Sequence, residues 1–218
     1  MEIIAHIRTD FNEKFGIPRQ SGLVDTRGVI EFEPKYRDVS AVRGLEEFSH
    51  IWLIWQFSEN IEGGWSPTVR PPRLGGKQRM GVFATRSPFR PNPSGLSCVR
   101  RERVQTAGEG APRIYVVGAD LLDGTPIYDI KPYLPHADCK TDATGGFSAP
   151  LVDYSLEVVI PDDIHFEKRD ELVKILANDP RPSYHDDGRT YGMTYANHDI
   201  SFTVKDKTLY VIKIVPKT

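Results

Sequence analysis

Residues 84–97, ATRSPFRPNPSGLS, contain two arginines, three prolines and a glycine but no acidic residue. Proline restricts the backbone, so an arginine set between prolines loses less conformational entropy when it binds a ligand. A guanidinium group pairs with carboxylates and phosphates in bidentate geometry. Arg86 and Arg90 therefore predict a preorganised site for an anionic group, in a stretch that also contains Leu96.

This stretch belongs to a longer basic window, residues 66–101, which holds eight of the 28 Lys and Arg residues and none of the 30 Asp and Glu residues. The window is therefore strongly positive while the rest of the chain is acidic. A local positive field indicates an anionic ligand or a nucleic-acid backbone. The alternative is a solvated loop with no ligand.

Two further segments have residue types suited to a nucleoside-like ligand. The segment GIPRQSG (16–22) presents Arg19 and Gln20 after a proline, and LLDGTPIYDIKPYLP (121–135) contains a DGT turn. Asp123 in that turn can accept from ribose hydroxyls, and Gly124 and Thr125 can expose backbone amides. Alone, DGTP is a plain β-turn. Taken with the arginine segments, it predicts a ligand that has a carboxylate, a ribose and an adenine.

A fourth segment, DPRPSYHDDGRTYGMTYANHD (179–199), is rich in Tyr, Arg, His and Asp. Arginine and aromatic side chains stack on unpaired RNA bases or hold phosphates. The alternative is a packed aromatic core, especially for the tyrosines. The residues predicted to contact RNA, here and in the basic segments, are Arg70, Arg73, Arg90, Arg181, Tyr184, Arg189 and Tyr191.

Short apolar or alternating runs separated by Gly and Pro predict the elements that position these segments. The predicted strands span residues 3–7, 28–32, 50–57, 80–85, 96–103, 113–121 and 125–130, with a short helix within residues 38–48. Strands that do not alternate with long helices indicate a mainly β protein with a closed or sandwiched sheet. There is also no GxGxxG after a strand and no P-loop spacing.

The composition changes after residue 135. Residues 136–152 are polar and aperiodic, which predicts a linker. Residues 164–178 have helical apolar spacing, and two strands are predicted at 200–204 and 208–215. We therefore expect a barrel domain at residues 1–135, a linker at 136–152 and a small α+β domain at 153–218 that contacts RNA.

The cysteine and histidine positions show no metal-ligand spacing, so no metal site is predicted. No apolar run approaches the roughly 18 to 20 residues that cross a bilayer, and the N-terminus lacks a signal-peptide pattern. We expect a cytoplasmic protein.

The combined motifs resemble the TsaA-like (TrmO) family of tRNA methyltransferases. The matching stretches are PRQ, FSHIWLIWQF, EGGW, PTVRPPRLGG, MGVFATRSPFRPNPSGLS, DLLDGTPIYDIKPYLP and DPRPSY. The resemblance implies a single-sheeted β-barrel that binds S-adenosylmethionine, usually as a homodimer. It also implies N6-methylation of threonylcarbamoyladenosine at position 37 of threonine tRNA, in the anticodon loop.

Carried over position by position, the resemblance assigns a set of cofactor contacts. Ser58 and Glu59 stand where similar proteins often have His-Gln or another polar pair, which is a departure from the family pattern. The implied cofactor-binding residues are Pro18, Arg19, Gln20, Ser58, Glu59, Arg86, Leu96, Leu122, Asp123, Gly124 and Thr125.

The acceptor nitrogen of threonylcarbamoyladenosine is urea-like, so removing or polarising its proton helps the transfer. Asp129, Lys131 and Tyr133 are the nearest candidates in sequence to the DGT turn, and Lys131 can stabilise charge on the carbamoyl oxygen. The alternative is a structural Asp–Lys pair. Two other functions also fit a barrel with these motifs: an RNA-binding barrel that retains a cofactor pocket without catalysis, and a small-molecule methyltransferase.

Overall fold

The computed structural model describes residues 1–71, 74, 78–151, 154–181 and 188–217. Its N-terminal unit is a closed barrel whose strands lie in the order β1–β2–β7–β6–β3–β8, with β8 returning to β1. Every neighbouring pair in the barrel is antiparallel. The strands are β1 (Ala5–Thr9), β2 (Arg27–Phe32), β3 (His50–Gln56), β6 (Ser94–Gln105), β7 (Arg113–Val117) and β8 (Pro126–Pro132). The predicted single-sheeted barrel is confirmed.

Alternation along β3 explains how the barrel encloses its core. Ile51, Leu53 and Trp55 are buried, whereas the residues between them are partly exposed. Successive side chains on a strand point to opposite faces, so these three project inward. They pack with inward residues from the other five strands, which include Ile7, Ile30, Val99, Ile114 and Ile127. The run that is nearly all apolar in sequence therefore has one buried face and one partly exposed face.

The C-terminal unit is a four-stranded sheet in the order β10–β11–β12–β9 with one helix against it. β9 (Glu157–Val159) pairs in parallel with β12 (Thr208–Pro216), while β10 (Thr190–Tyr195) and β11 (His198–Lys205) form antiparallel pairs. Helix α2 (Arg169–Ala177) buries Leu172, Ile175 and Leu176, as the helical spacing predicts.

The second hydrophobic core also contains residues from the N-terminal part of the chain. Phe11 and Val24 lie in the connection between β1 and β2, yet both are buried among α2 and β10–β12. Phe11 packs against Tyr195 with ring centroids 5.2 Å apart. The connection that carries the PRQ motif is therefore anchored in the C-terminal unit.

Several predicted elements differ from the structure. Residues 80–85 form only β5 (Met80–Gly81), paired with β4 (Thr68–Val69), and then a 3-10 turn at Val82–Ala84. The helix predicted within 38–48 is replaced by 3-10 turns at Val39–Val42 and Leu45–Glu47, because Gly44 between them has a left-handed φ of 82°. The predicted linker contains helix α1 (Pro135–Asp138) and a 3-10 segment at Gly146–Leu151. Among the described residues, no helix is long and apolar enough to cross a membrane.

Candidate active site

A cavity of about 680 Å³ opens beside one end of β3 and β6. Its wall combines the end of β3, the start of β6 and four loops, which cover residues 14–20, 57–60, 85–90 and 120–125. Apolar side chains of Ile54, Leu96 and Leu121 line it beside polar groups. A volume of this size lies within the range of about 300–1,000 Å³ typical of small-ligand pockets.

The sequence motifs predicted to bind the cofactor meet at this cavity. Nine of the predicted cofactor-binding residues are among those that line it: Pro18, Arg19, Gln20, Ser58, Glu59, Arg86, Leu96, Leu122 and Thr125. Asp123 and Gly124 are not among the lining residues. Asp123 accepts a hydrogen bond from the Thr9 amide at 3.0 Å, and the Gly124 amide donates to the Ile7 carbonyl at 2.8 Å. These two hydrogen bonds join the turn to β1, and Asp123 Oδ2 also lies 3.7 Å from Arg8 Nη1 of the same strand.

The 82–90 loop is held from within by Arg90. Its Nη1 donates to the carbonyl of Thr85 at 2.7 Å and to that of Val82 at 3.1 Å, and the guanidinium lies 5.6 Å from the Phe83 ring centroid. Arg86 on the same loop is exposed and donates to the Gln20 side-chain oxygen. The two arginines of RSPFRP thus divide their roles: Arg90 closes the loop, and Arg86 spans to the PRQ segment.

The PRQ segment is in turn fixed by the C-terminal unit. Arg19 Nη2 donates to the carbonyl oxygens of Asp179 and Arg181, each at 2.9 Å. Arg181 is buried, and its Nε and Nη2 donate to the two carboxylate oxygens of Asp179 at 2.9 and 3.1 Å. Tyr154 also donates to Asp179, at 2.9 Å. A hydrogen-bonded path therefore runs from the 179–181 turn through Arg19 and Gln20 to Arg86.

Burial alone disfavours the ionised form of Asp179. The guanidinium of Arg181 and the hydroxyl of Tyr154 outweigh that effect, so the pKa of Asp179 lies below its ordinary value. Asp179 also has a left-handed φ of 50°, which Asp tolerates better than most residues. We infer a structural ion pair that fixes the turn against Arg19.

Asp120 is a cavity residue that the sequence predictions missed. It lines the pocket, and Ser97 donates its hydroxyl proton to Asp120 Oδ1 at 2.6 Å. Trp55 Nε1 donates to the same Ser97 oxygen at 2.9 Å, and Ser97 is 1% exposed. Burial raises the pKa of Asp120, while the Ser97 hydroxyl and the nearby Arg86 charge lower it to a smaller extent. The sequence signal was an acidic residue directly after the apolar run IYVVGA.

The indole of Trp55 reaches Ser97 because the neighbouring strand has no side chain at the facing position. Trp55 lies opposite Gly95 in the β3–β6 register, and a Cβ atom at Gly95 would lie 2.2 Å from the Trp55 ring. The glycine of PSGLS therefore permits a close approach of ring and backbone.

The three predicted catalytic residues lie on β8 or just after it, and none of them lines the cavity. Lys131 Nζ is 2.9 Å from Asp129 Oδ2, and both side chains are largely exposed. Tyr133 packs against Trp52, with ring centroids 5.7 Å apart. Asp129 is nevertheless the register partner of Ile54, a cavity residue, so β8 adjoins the cavity-lining end of β3 at this position.

The residues predicted to contact RNA are divided by burial. Arg70 and Arg189 are exposed, and Arg90 lines the cavity. Arg181 and Tyr191 are each 8% exposed; the first pairs with Asp179, and the second stacks on Phe202 with centroids 5.6 Å apart. Their burial argues against the direct RNA contact predicted for these two. Arg73 and Tyr184 lie outside the described residues.

Within the described part of the chain, no group of three or more His, Cys, Asp or Glu residues is placed to hold a metal ion.

Comparisons with known proteins identify the barrel and the C-terminal unit. The family model of the tRNA-methyltransferase O N-terminal domain matches residues 6–139, and that of the TrmO C-terminal domain matches residues 163–217. The chain belongs to the TrmO family. Together the two models include every segment that forms the cavity and the turn that anchors it.

Two bacterial relatives and one solved structure are similar to this chain over most of their length. A tRNA (adenine(37)-N6)-methyltransferase of Escherichia coli is 42% identical over 99% of this chain and 97% of its own. A putative S-adenosylmethionine-dependent methyltransferase, RcsF, of Pseudomonas aeruginosa is 42% identical over 90% of this chain and 89% of its own. The crystal structure of TrmO from Pseudomonas aeruginosa superposes with a TM-score of 0.76 at 34% identity, covering 98% of this chain and 97% of that one.

Proposed function

We propose that this protein transfers a methyl group from S-adenosylmethionine to N6 of threonylcarbamoyladenosine at position 37 of threonine tRNA. The observation that carries the proposal is the similarity over 99% of the chain to a tRNA (adenine(37)-N6)-methyltransferase. The cavity supports it, because motifs from four distant parts of the sequence converge there.

The cavity has the chemical groups that a methyl donor of this kind needs. Arg86 is suited to its carboxylate, and Leu96 and Leu122 offer apolar surface for the adenine. The cavity is also lined by Pro18, Gln20, Ser58, Glu59 and Thr125. Arg19 contributes through its hydrogen bonds to the C-terminal turn, and Asp123 and Gly124 by fixing the DGT turn to β1.

The donor's sulfonium methyl is already activated when bound, so catalysis depends mainly on alignment of the two substrates. The Asp129–Lys131 pair and Tyr133 lie on or just after β8, which pairs with β3 beside the cavity residue Ile54. A tRNA base whose reacting nitrogen entered the cavity would leave its threonylcarbamoyl group over these three residues. Lys131 would then stabilise charge on the carbamoyl oxygen, and Asp129 would hold the Lys131 ammonium in place.

The exposed basic residues are suited to the tRNA backbone. Arg70 lies in the basic window, and Arg189 lies in the C-terminal unit, so the two would contact the anticodon loop from different units. Phosphate contacts of this kind fix the register of an RNA without reading its bases.

We also propose a homodimer. Four large apolar side chains in the loops near the cavity are at least 40% exposed: Ile61, Trp65, Phe83 and Phe89. The two loops that carry them are joined, because the Ser66 amide donates to the Phe89 carbonyl at 3.2 Å. Exposed apolar groups close together are typical of protein interfaces. Sedimentation equilibrium would test the association.

The activity test is transfer of a tritiated methyl group to threonine tRNA by the purified protein. The tRNA is supplied in two forms, with and without the threonylcarbamoyl group, each verified by mass spectrometry of the nucleosides. We expect label only in the modified form and loss of label when A37 is replaced. No label in tRNA verified as modified would contradict the proposal.

A further inference from the structure

We propose that Asp120 is the anionic contact for the positively charged part of the methyl donor. The inference rests on the proposed function, since it concerns how the donor is held. Asp120 is not among the cofactor contacts that the family resemblance implies, and the names of the relatives assign it no role.

The described lining of the cavity contains more cationic than anionic side chains. Of the four cationic side chains there, Arg19 and Arg90 donate to backbone carbonyls, and Lys14 Nζ lies 3.4 Å from the carbonyl of Glu59. Arg86 is suited to an anionic group, as argued above. The donor also carries a sulfonium and an ammonium, and a cation removed from water needs an anionic or strongly polar partner. Among the described lining residues, Asp120 and Glu59 are the two carboxylates, and Glu59 is exposed.

Asp120 is oriented by a chain of two hydrogen bonds from Trp55 through Ser97. An indole N–H can only donate, so the Ser97 oxygen accepts from Trp55 and must use its own single proton on Asp120. This directed chain fixes the carboxylate from the buried side and presents it as an acceptor to the cavity. Asp179, by contrast, directs both carboxylate oxygens to a cation of the protein, Arg181.

The partial burial of Asp120 disfavours its ionised form. Burial raises the pKa of Asp120, and Arg86 is the charged group of the described structure that acts on it in the opposite sense. The ionised form of this partly buried carboxyl is stabilised when a second positive charge, that of the ligand, binds beside it. Binding of a cation should therefore favour ionisation of Asp120 and release a proton over the pH range where the free carboxyl is partly protonated.

The test compares Asp120→Asn with wild type by isothermal titration calorimetry with S-adenosylmethionine and S-adenosylhomocysteine. Asparagine keeps the size of the side chain and an oxygen for the Ser97 hydroxyl while removing the charge. We expect the affinity for S-adenosylmethionine to fall by about 10- to 100-fold, the range for hydrogen bonds to a charged group. Titrations in buffers of different ionisation enthalpy should show proton release in wild type that is absent from the variant.

The second ligand distinguishes the two cations of the donor. An ammonium is present in both molecules, whereas the sulfonium is present only in S-adenosylmethionine. Equal losses for the two ligands assign Asp120 to the ammonium, and a loss confined to S-adenosylmethionine assigns it to the sulfonium. Unchanged affinity for both ligands would overturn the proposal. If both affinities were unchanged but methyl transfer slowed, the proposal would also be overturned, because Asp120 would then act as a proton acceptor.

Two further variants guard against a misfolded protein. Asp25→Asn changes an exposed carboxylate that does not line the cavity, and it should bind both ligands as wild type does. Ser97→Ala retains the Asp120 charge but removes its oriented donor, so we expect a smaller loss of affinity with proton release retained. The activity of wild type on modified tRNA is measured in parallel. If wild type binds the donor but methylates no tRNA, the proposed function fails while the inference about Asp120 stands.

Discussion

Asp120 and Asp179 are two partly or fully buried carboxylates in very different surroundings. Asp179 has a guanidinium against both oxygens, and its pKa is lowered; Asp120 has a serine hydroxyl, and its pKa is raised. A buried charge with its counter-ion in the protein is already neutralised, whereas one without such a partner is ready for a charged ligand. The difference distinguishes a structural carboxylate from one available for binding.

The strongest test of the comparison removes the partner of Asp179. Arg181→Met should lower the free energy of unfolding by about 3–5 kcal/mol, because it leaves a buried carboxylate without its counter-charge. Urea denaturation followed by circular dichroism measures the change. Arg189→Met, at an exposed position of the same unit, should change stability by no more than about 0.5 kcal/mol. Equal midpoints for the two variants would show that the ion pair contributes little.

The dependence of stability on pH should separate the two carboxylates by sign. The lowered pKa of Asp179 contributes stability above the ordinary carboxyl pKa of about 3.9, and this is lost as pH falls through the folded-state value. Asp179→Asn should therefore destabilise at neutral pH and have less effect in acid. The raised pKa of Asp120 has the reverse consequence, so Asp120→Asn should stabilise the ligand-free protein at neutral pH, with the gain vanishing in acid.

Thermal unfolding of wild type and both variants between about pH 2 and pH 8 measures this sign and reaches the acid range where the Asp179 contribution is lost. The same direction of change for both asparagine variants at neutral pH would contradict the distinction drawn between the sites.

A smaller effect is expected at Arg86, an arginine with no ion-pair partner among the described residues. Arg86→Ala should leave the unfolding midpoint almost unchanged and weaken S-adenosylmethionine binding by about tenfold or more. Calorimetry with Arg79→Ala as the control tests this, since Arg79 is exposed and does not line the cavity. Unchanged affinity would reassign Arg86 to the RNA.

The barrel and the 179–181 turn differ in how much of their structure could be predicted from the sequence. The barrel strands were predictable because alternation with buried positions such as Ile51 and Leu53 is local information. Motif residues such as Arg86 and Gln20 were identified as site candidates by residue type, and the structure places them at one cavity. The burial of Arg181 was not predictable in this way, since RSPFRP and DPRP look alike and only the fold brings Tyr154 and Arg19 to the second.

Asp120 was missed for a related reason. Its partner Ser97 is 23 residues away, and Trp55 is 42 residues from Ser97, so the chain of hydrogen bonds exists only after β3 and β6 have paired. An acidic residue at the end of an apolar run is also compatible with the start of a turn. Asp129 and Lys131 were favoured instead because they are close to the DGT turn in sequence, although they lie on the outer wall of the barrel.

The connection between β1 and β2 sets a limit on how this protein can be divided. It carries Pro18, Arg19 and Gln20 to the cavity, yet Phe11 and Val24 at its two ends are buried in the other unit. A fragment cut at the linker would expose both side chains to water and release the Arg19 guanidinium from its two carbonyls. The barrel sheet would remain closed by its own hydrogen bonds, but the loop that lines one side of the cavity would lose its support. The cavity therefore requires both units in one chain.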